Sequence, residues 1–273
     1  MTHFHTEKQQ AVKLHTSNLD KFFGGVAAVT DLSFQVPEGS IYSVIGPNGA
    51  GKTTLFNMLC GYYVPDGGSI TFTSKKRAAE GESPKELVGM ETHQIAAQGI
   101  SRTFQNLQVF YNMTVLENVM VGCHLRTSTG LIKAALRLPS VVREEKQVRE
   151  WSMEALKLCG LDHLADREAG SLPYGELKRL EIARALASNP EFLAMDEPAA
   201  GLNDTETVEM RELILRLKET GITILLVEHN MGLVMQVSDR VLVLGFGSLL
   251  AEGTPEEVQS NPEVIKAYLG EEV

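Results

Sequence analysis

The segment Gly46-Pro47-Asn48-Gly49-Ala50-Gly51-Lys52-Thr53 carries the most specific chemistry in the chain. It fits G-x-x-x-x-G-K-[ST], a spacing in which glycines let successive backbone N–H groups turn inward around phosphate oxygens. The helix after it adds positive potential at its N-terminus. Lys52 would reach the β- and γ-phosphates of a nucleoside triphosphate, Thr53 would ligate Mg²⁺ through its hydroxyl, and Thr54 would stand beside them in the first helical turn. Such a loop needs an acidic partner on a neighbouring strand. Phe192-Leu193-Ala194-Met195-Asp196-Glu197 is an apolar strand that delivers two carboxylates at its C-terminal end, where ligands gather in α/β sheets. Asp196 would complete the metal shell, and Glu197 would polarise a water attacking the γ-phosphate. Taken alone, adjacent acids at a strand end are usually a solvated approach to a helix. Beside a phosphate loop, the catalytic reading prevails.

These groups need a scaffold, and the pattern around them alternates strands with helices. Residues 12–19 read as a strand, and residues 27–36 run through Pro37-Glu38-Gly39 into the apolar 41–45, which predicts a hairpin. A helix is expected over 52–60, closing at Gly61, then a turn at Pro65-Asp66-Gly67-Gly68 and a strand over 69–73. Residues 74–91 show little periodicity and predict a surface loop. Thr114-Val115-Leu116-Glu117 has capping-box spacing and opens a helical stretch, broken near Pro139, that lasts to Gly160. Further on come a helix over 175–188, a strand over 192–196, a helix over 204–220 and a strand over 222–227. Thr254-Pro255-Glu256-Glu257 starts a short helix near the C-terminus. The fold class is α/β with a mainly parallel sheet.

Composition narrows the function further. With 273 residues, 43% of them hydrophobic and 22% charged, the chain is an ordinary globular sequence, which excludes wholesale disorder and fibrous structure. No apolar run approaches the roughly 18 residues of a membrane span. The balance of 25 Lys and Arg against 35 Asp and Glu gives a net charge of -10, which repels phosphate backbones and anionic headgroups and argues against a nucleic-acid partner. Cys60, Cys123 and Cys159 are isolated, arguing against a disulfide framework or a structural zinc site. Residues 1–10 are polar, without the apolar core of a signal peptide, so a cytosolic location is expected.

A resemblance covers nearly the whole chain. Residues 171–204 (SLPYGELKRLEIARALASNPEFLAMDEPAAGLND) resemble the signature helix, acidic strand and D-loop of an ABC-type ATPase. Arg102-Thr103-Phe104-Gln105 resembles the Q-loop, and Glu228-His229-Asn230 the switch-histidine region. More narrowly, RTFQNLQVFYNMTVLENV, YGELKRLEIARAL, DEPAAGLN and NPEVIKAYLG resemble one of the two ATP-binding subunits of branched-chain amino acid importers. Importers of urea and short amides share much of this pattern. The resemblance implies a P-loop NTPase of ABC type: one domain over 1–273, with a nucleotide-binding core and antiparallel β subdomain over 11–105 and 185–273. Residues 106–184 would form a helical subdomain carrying the signature loop. It implies that Phe23 stacks on adenine, Phe22 or Phe23 being otherwise core. Gln105 would touch Mg²⁺ or the attacking water and relay the nucleotide state, and His229 would contact the γ-phosphate. Leu202-Asn203-Asp204 would cross to a partner subunit. Tyr174, Gly175 and Glu176 would face the partner's ATP. The implied assembly is a pair of ATP-binding subunits, alike or different, under two membrane permease subunits and served by a solute-binding protein, which puts the chain at the cytoplasmic face of the membrane.

The signature loop departs from the family's L-S-G-G-Q, reading Leu172-Pro173-Tyr174-Gly175-Glu176. A hydroxyl is lost at Pro173, which also lacks an N–H, and Glu176 adds a negative charge. Gly175 and the helix N-terminus remain to meet an anion, so weaker closure is expected, not a dead site. A low-turnover, nucleotide-gated subunit is the alternative, opposed by retention of both Asp196 and Glu197. A soluble ABC protein of DNA repair or translation fits less well, because the chain has one cassette and no long heptad tract. A P-loop kinase outside the ABC family would explain neither Gln105 nor the signature. Residues 126–150 alternate in charge, which suits either a solvated face or a permease-gripping surface; Trp151 reads as packing within the helical part.

Overall fold

Burial pattern sorts the strands into two sheets. In the computed structural model, which describes residues 11–104, 107–127 and 139–269, β1 (Val12–Phe23) and β2 (Val26–Pro37) alternate between buried and exposed side chains. They pair antiparallel around Gly24 and Gly25, and β4 (Gly67–Phe72) and β5 (Lys85–Glu86) extend this sheet in the order β2-β1-β4-β5. By contrast β3 (Ile41–Ile45), β7 (Phe192–Asp196) and β8 (Thr223–Val227) are buried at every position. Strands buried on both faces belong inside a parallel sheet covered by helices. Here that sheet has the order β10-β9-β3-β8-β7-β6, completed by β6 (Ile100–Arg102), β9 (Arg240–Gly245) and β10 (Ser248–Gly253). Only β10 among these strands runs antiparallel to its neighbour.

The predicted hairpin between residues 27–36 and 41–45 does not form. The partner of β2 is β1, and β3 pairs with β8 and β9 in the other sheet. The intervening turn is held by that second sheet: the Gly39 N–H donates to Thr223 Oγ1 (2.9 Å) and the Ile41 N–H to Asp239 Oδ2 (2.8 Å). A turn-rich segment marks a change of direction, and the doubly buried character of β3 decides its neighbours.

Ten helices are described: α1 (Lys52–Leu59), α2 (Lys75–Glu80), α3 (Thr92–Ala97), α4 (Val115–Gly122), α5 (Pro139–Leu158), α6 (Tyr174–Leu186), α7 (Asp204–Glu219), α8 (Met231–Val237), α9 (Pro255–Gln259) and α10 (Pro262–Leu269). The loop expected over 74–91 instead contains α2 and β5. Ser74 Oγ caps α2 by accepting from the Arg77 N–H, and Gly81 ends it at φ +67°. No residue of α2 is buried, so it lies at the surface yet leaves no apolar periodicity to read. The capping box at Thr114 and Glu117 forms as predicted, and so does the one at Thr254 and Glu257. Helices α4, α5 and α6 pack on one another around Val119, Cys123, Leu156 and Leu180. Trp151 packs against that cluster, with the Arg126 guanidinium 3.5 Å from its ring centroid. The outer side of α5 carries exposed ion pairs, Lys146 with Glu150 and Arg149 with Asp166, as on a solvated face.

The two sheets are tied by a buried cation. Lys13 on β1 is only 1% exposed and reaches Glu191, next to β7, at 2.5 Å and Glu38 at 3.2 Å. The same Glu191 Oε2 accepts the Lys75 N–H at 2.6 Å, anchoring α2. Glu191 and Glu38 keep 23% and 35% exposure, so losing the cation costs its charge-assisted hydrogen bonds and leaves no stranded buried charge. Lys13→Met is therefore expected to destabilise the chain by about 1–2 kcal/mol. Urea unfolding would check this, and an unchanged midpoint would show that the pair is energetically idle.

Candidate functional site

Register brings the predicted residues to one edge. Val227 of β8 lies opposite Val44 of β3 and also opposite Asp196 of β7. The residues that leave these three strands at their C-terminal ends therefore emerge side by side: the loop from Gly46, the carboxylates Asp196 and Glu197, and the Glu228-His229 pair.

The Gly46–Thr53 loop runs from β3 into α1. Gly46 (φ +153°) and Gly51 (φ +100°) are required by their neighbours, since a Cβ would come 2.3 Å from the Leu244 carbonyl oxygen at the first and 2.4 Å from that of Ala28 at the second. Gly49 (φ +78°) faces open space instead. The loop is braced from behind by the β9–β10 turn, where the Gly247 N–H donates to the Ala50 carbonyl (3.1 Å) and the Gly247 carbonyl accepts from Thr30 (2.8 Å). Lys52 is buried, and its Nζ donates to the carbonyls of Gly46 (2.6 Å) and Pro47 (2.9 Å), holding the ammonium across the loop. Pro47 is half-buried and Ala50 buried, while Asn48 and Thr53 are exposed and Thr54 is half-buried.

Asp196 is 4% exposed at the end of β7, where its N–H donates to Thr103 Oγ1 (3.3 Å). Burial, and next the charge of Glu197, push its carboxyl above the ordinary value; Arg102, Lys178 and His229 pull the other way. Glu197 comes next in the left-handed region at φ +49°, a conformation that costs a non-glycine residue about 1–3 kcal/mol. Its N–H is fixed on the Val227 carbonyl (2.8 Å), and its Oε1 stands 3.1 Å from His229 Nε2. Thus the carboxylate and imidazole singled out from sequence meet in space.

Two buried residues that the sequence pattern does not single out hold this pair. Glu228 is 3% exposed and takes the N–H of Ala199 on Oε1 (2.8 Å) and those of His229 (2.9 Å) and Asn230 (3.2 Å) on Oε2. Lys178 on α6 directs Nζ to the Glu197 carbonyl at 3.5 Å. In the sequence Glu228 is merely the acidic neighbour of a histidine, and only the fold reveals its three donors.

The remaining site residues fare unevenly. Phe22 and Phe23 are 47% and 43% exposed, so neither is core, contrary to the expectation that one would be. Phe23 meets Tyr63 edge-to-face with centroids 5.3 Å apart. At the signature, Pro173 is the N-cap of α6, and the exposed Tyr174 ring lies against Gly201, where a Cβ would come 3.2 Å from it. Gly175 is filled in by Glu206, and Glu176 Oε2 is buried with no hydrogen-bond partner. Leu202 and Asn203 lead into α7, whose capping box joins Asn203 to Glu206. Gln105 lies outside the described residues; its neighbour Arg102 is enclosed by the rings of Phe56, Tyr62 and Phe104 at 4.4–4.9 Å.

Comparison with known proteins agrees with this geometry. Residues 29–200 match the ABC transporter family, and residues 248–273 match the branched-chain amino acid ATP-binding cassette transporter family. The chain belongs to the ABC transporter family. It is 44% identical to the high-affinity branched-chain amino acid transport ATP-binding protein BraF of Pseudomonas aeruginosa, over 94% of this chain and 98% of that protein. It is 47% identical to LivG of Salmonella typhimurium, of the same description, over 91% and 94%. The crystal structure of an ABC transporter's ATP-binding cassette in its ADP conformation superposes with TM-score 0.81 at 34% identity, covering 96% of this chain and all of that one. As a member of this family the chain is an ATPase, the ATP-binding motor subunit of a transporter, and the fold expected from the resemblance is the one observed. The ABC fold thus accounts for both sheets and for the helices α4 to α6.

Because the folded chain holds the Asp196 proton more tightly than the unfolded chain, ionisation of Asp196 costs stability as pH rises from about 4 through the raised value. Asp196→Asn is therefore expected to melt above wild type at pH 7 without nucleotide, with the difference closing as pH falls below about 4. A melting temperature at or below wild type at pH 7 would contradict that electrostatic account.

Proposed function

We propose that the chain drives an importer of branched-chain or other hydrophobic amino acids, working at the cytoplasmic face of the membrane as one of two ATP-binding subunits. The observation that carries the ATP-driven part of this reading is the shared strand edge, where the phosphate loop, the buried Asp196 and the 3.1 Å Glu197–His229 pair stand together. The solute class is supported by the likeness to branched-chain amino acid transport proteins. Backbone N–H groups from Asn48 to Thr54 and the Lys52 ammonium hold the triphosphate. Phe23, exposed at the β1–β2 turn, offers a flat face to adenine, with stacking worth about 1–3 kcal/mol.

Thr53 and Asp196, with Gln105, would hold Mg²⁺. The donors fit: they are hard oxygens, and a buried carboxylate disfavoured by its own desolvation gains from an adjacent dication. When bound, Mg²⁺ supplies neutralisation of the phosphate charge. Glu197 takes the proton of the attacking water, and its left-handed backbone aims the carboxylate from a loop pinned at both ends. His229 contacts the γ-phosphate and orients Glu197. Tyr174, Gly175 and Glu176 at the start of α6 face the partner subunit's nucleotide.

The proposal includes a division of labour, supported by the packing of α4, α5 and α6 on one another. Residues 11–105 and 185–273 form the nucleotide-binding core with its β subdomain, and residues 106–184 the helical arm. A groove of about 470 Å³ beside that arm is lined by residues that include Phe104, Val109, Phe110, Val121, Glu181 and Arg184. The exposed Phe110 and Val121 and the buried Glu181 among its lining suit a short helix end of a permease subunit. The solute-binding protein meets the permease and not this chain. Support for the location comes from the relatives, which are ATP-binding proteins of branched-chain amino acid transport; no helix among the described residues is long and apolar enough to span a bilayer.

The decisive test is size-exclusion chromatography of Glu197→Gln with and without MgATP. Without its base the variant is expected to elute as a dimer only with ATP. A persistent monomer that binds ATP would mean that this chain closes only against a sister ATPase or the permease. Lys52→Ala is expected to lose ATP binding and turnover; wild-type turnover in that variant would sink the assignment of the phosphate loop.

A further inference from the structure

We infer that Glu228 is a positioning residue for hydrolysis, clamping the loop that carries Glu197 to the loop that carries His229. The inference rests on the roles proposed above for those two residues. Both sit on irregular backbone: Glu197 opens the turn after β7, and His229 stands between β8 and α8. Neither loop has a regular ladder to fix it, yet their side chains must be held to within a fraction of an ångström for proton transfer.

Glu228 supplies that constraint. One carboxylate oxygen receives Ala199, two residues past Glu197, and the other receives His229 and Asn230. All three of these hydrogen bonds go to backbone N–H groups, so the side chain acts through the backbone on both sides of the pair. Three N–H donors converge on it inside the protein, where charge-assisted bonds are strong and geometry is unforgiving. A glutamine in its place has the same size but only one oxygen. Its NH2 group would face donors in one of the two loops, which would then separate.

The position is also well placed to report closure. Asn230, held by Glu228, caps α8 through Oδ1 to the Leu233 N–H (3.0 Å), while the turn beyond Ala199 continues into the D-loop residues Leu202 and Asn203. A shift of either loop therefore reaches the other through one side chain.

The test is steady-state ATP hydrolysis by the full chain carrying E228Q, E228D, H229A and E228Q/H229A, with ATP affinity and melting temperature measured on each. E228Q is expected to lower kcat about tenfold to a hundredfold while KM for ATP stays within about threefold of wild type. In the H229A background the same change should cost less than about twofold, because the pair it positions is already gone. E228D, which keeps the carboxylate on a shorter stem, should fall between wild type and E228Q and gives the same comparison where E228Q fails to fold. Wild-type kcat in both variants, or fully multiplicative losses with H229A, would overturn the clamp. Absence of hydrolysis by wild type itself, with its permease present, would instead strike at the catalytic roles of Glu197 and His229.

Discussion

The pairing of Val227 with both Val44 and Asp196 is the constraint on which the rest of the structure depends. Parallel strands lie about 4.8 Å apart, so three chains ending at one level deliver their next residues within side-chain reach. The chemistry of the edge is then set by the residues just beyond those strands: a glycine-rich turn after β3, two acids at the end of β7, an acid and a histidine after β8. A one-residue slip of β8 would exchange its two buried faces, mismatching the packing on both sides of the sheet, and carry Glu228 away from the Ala199 N–H. Five consecutive buried residues in each of β3, β7 and β8 make that slip prohibitively costly, and so the core protects the site.

Strain in the site is tolerated for the same reason. Glu197 keeps φ +49° although nothing in its side chain favours that region. Its N–H is taken by Val227, its carbonyl accepts from Ala200, and Ala199 is held by Glu228. With the backbone determined on each side, the carboxylate points out of the sheet edge toward His229. Asp196, one residue earlier, stays in strand geometry and remains buried. Adjacent residues of identical charge thus acquire different surroundings from a single backbone turn, and different surroundings are what separate a metal-holding acid from a base.

Most of this edge was legible in the sequence, for physical reasons. Glycines that must adopt positive φ, a lysine at fixed spacing and apolar runs ending in acids are local signals, and they located the phosphate loop, β7 and β8 within about a residue. Pairing is not local. The turn at Pro37-Glu38-Gly39 resembles a hairpin turn, and nothing nearby tells that β3 leaves for another sheet. Helix α2 escaped because it buries nothing, although Ser74 and Gly81 mark its two ends. Phe22 and Phe23 look like core by type, yet the β1–β2 turn carries both to the surface. Glu228 and Lys178 are ordinary charged residues until tertiary contacts supply their partners.

The divergent signature loop is best understood through the same contacts. Tyr174, where the family at large has glycine, rests on Gly201, and Glu206 fills the space that a side chain at Gly175 would need. Lys178, one turn further along α6, reaches the Glu197 carbonyl. Helix α6 is therefore in contact, within its own subunit, with Gly201 before α7, with Glu206 in the first turn of α7, and with the turn that carries Glu197. Pro173 offers neither a hydroxyl nor an N–H at this turn, while the Tyr174 ring ties the start of α6 to the turn that leads into α7. What the loop lacks in hydrogen-bond donors it has in contacts: Tyr174 and Lys178 join the start of α6 to the two ends of the turn that runs from Glu197 to Gly201.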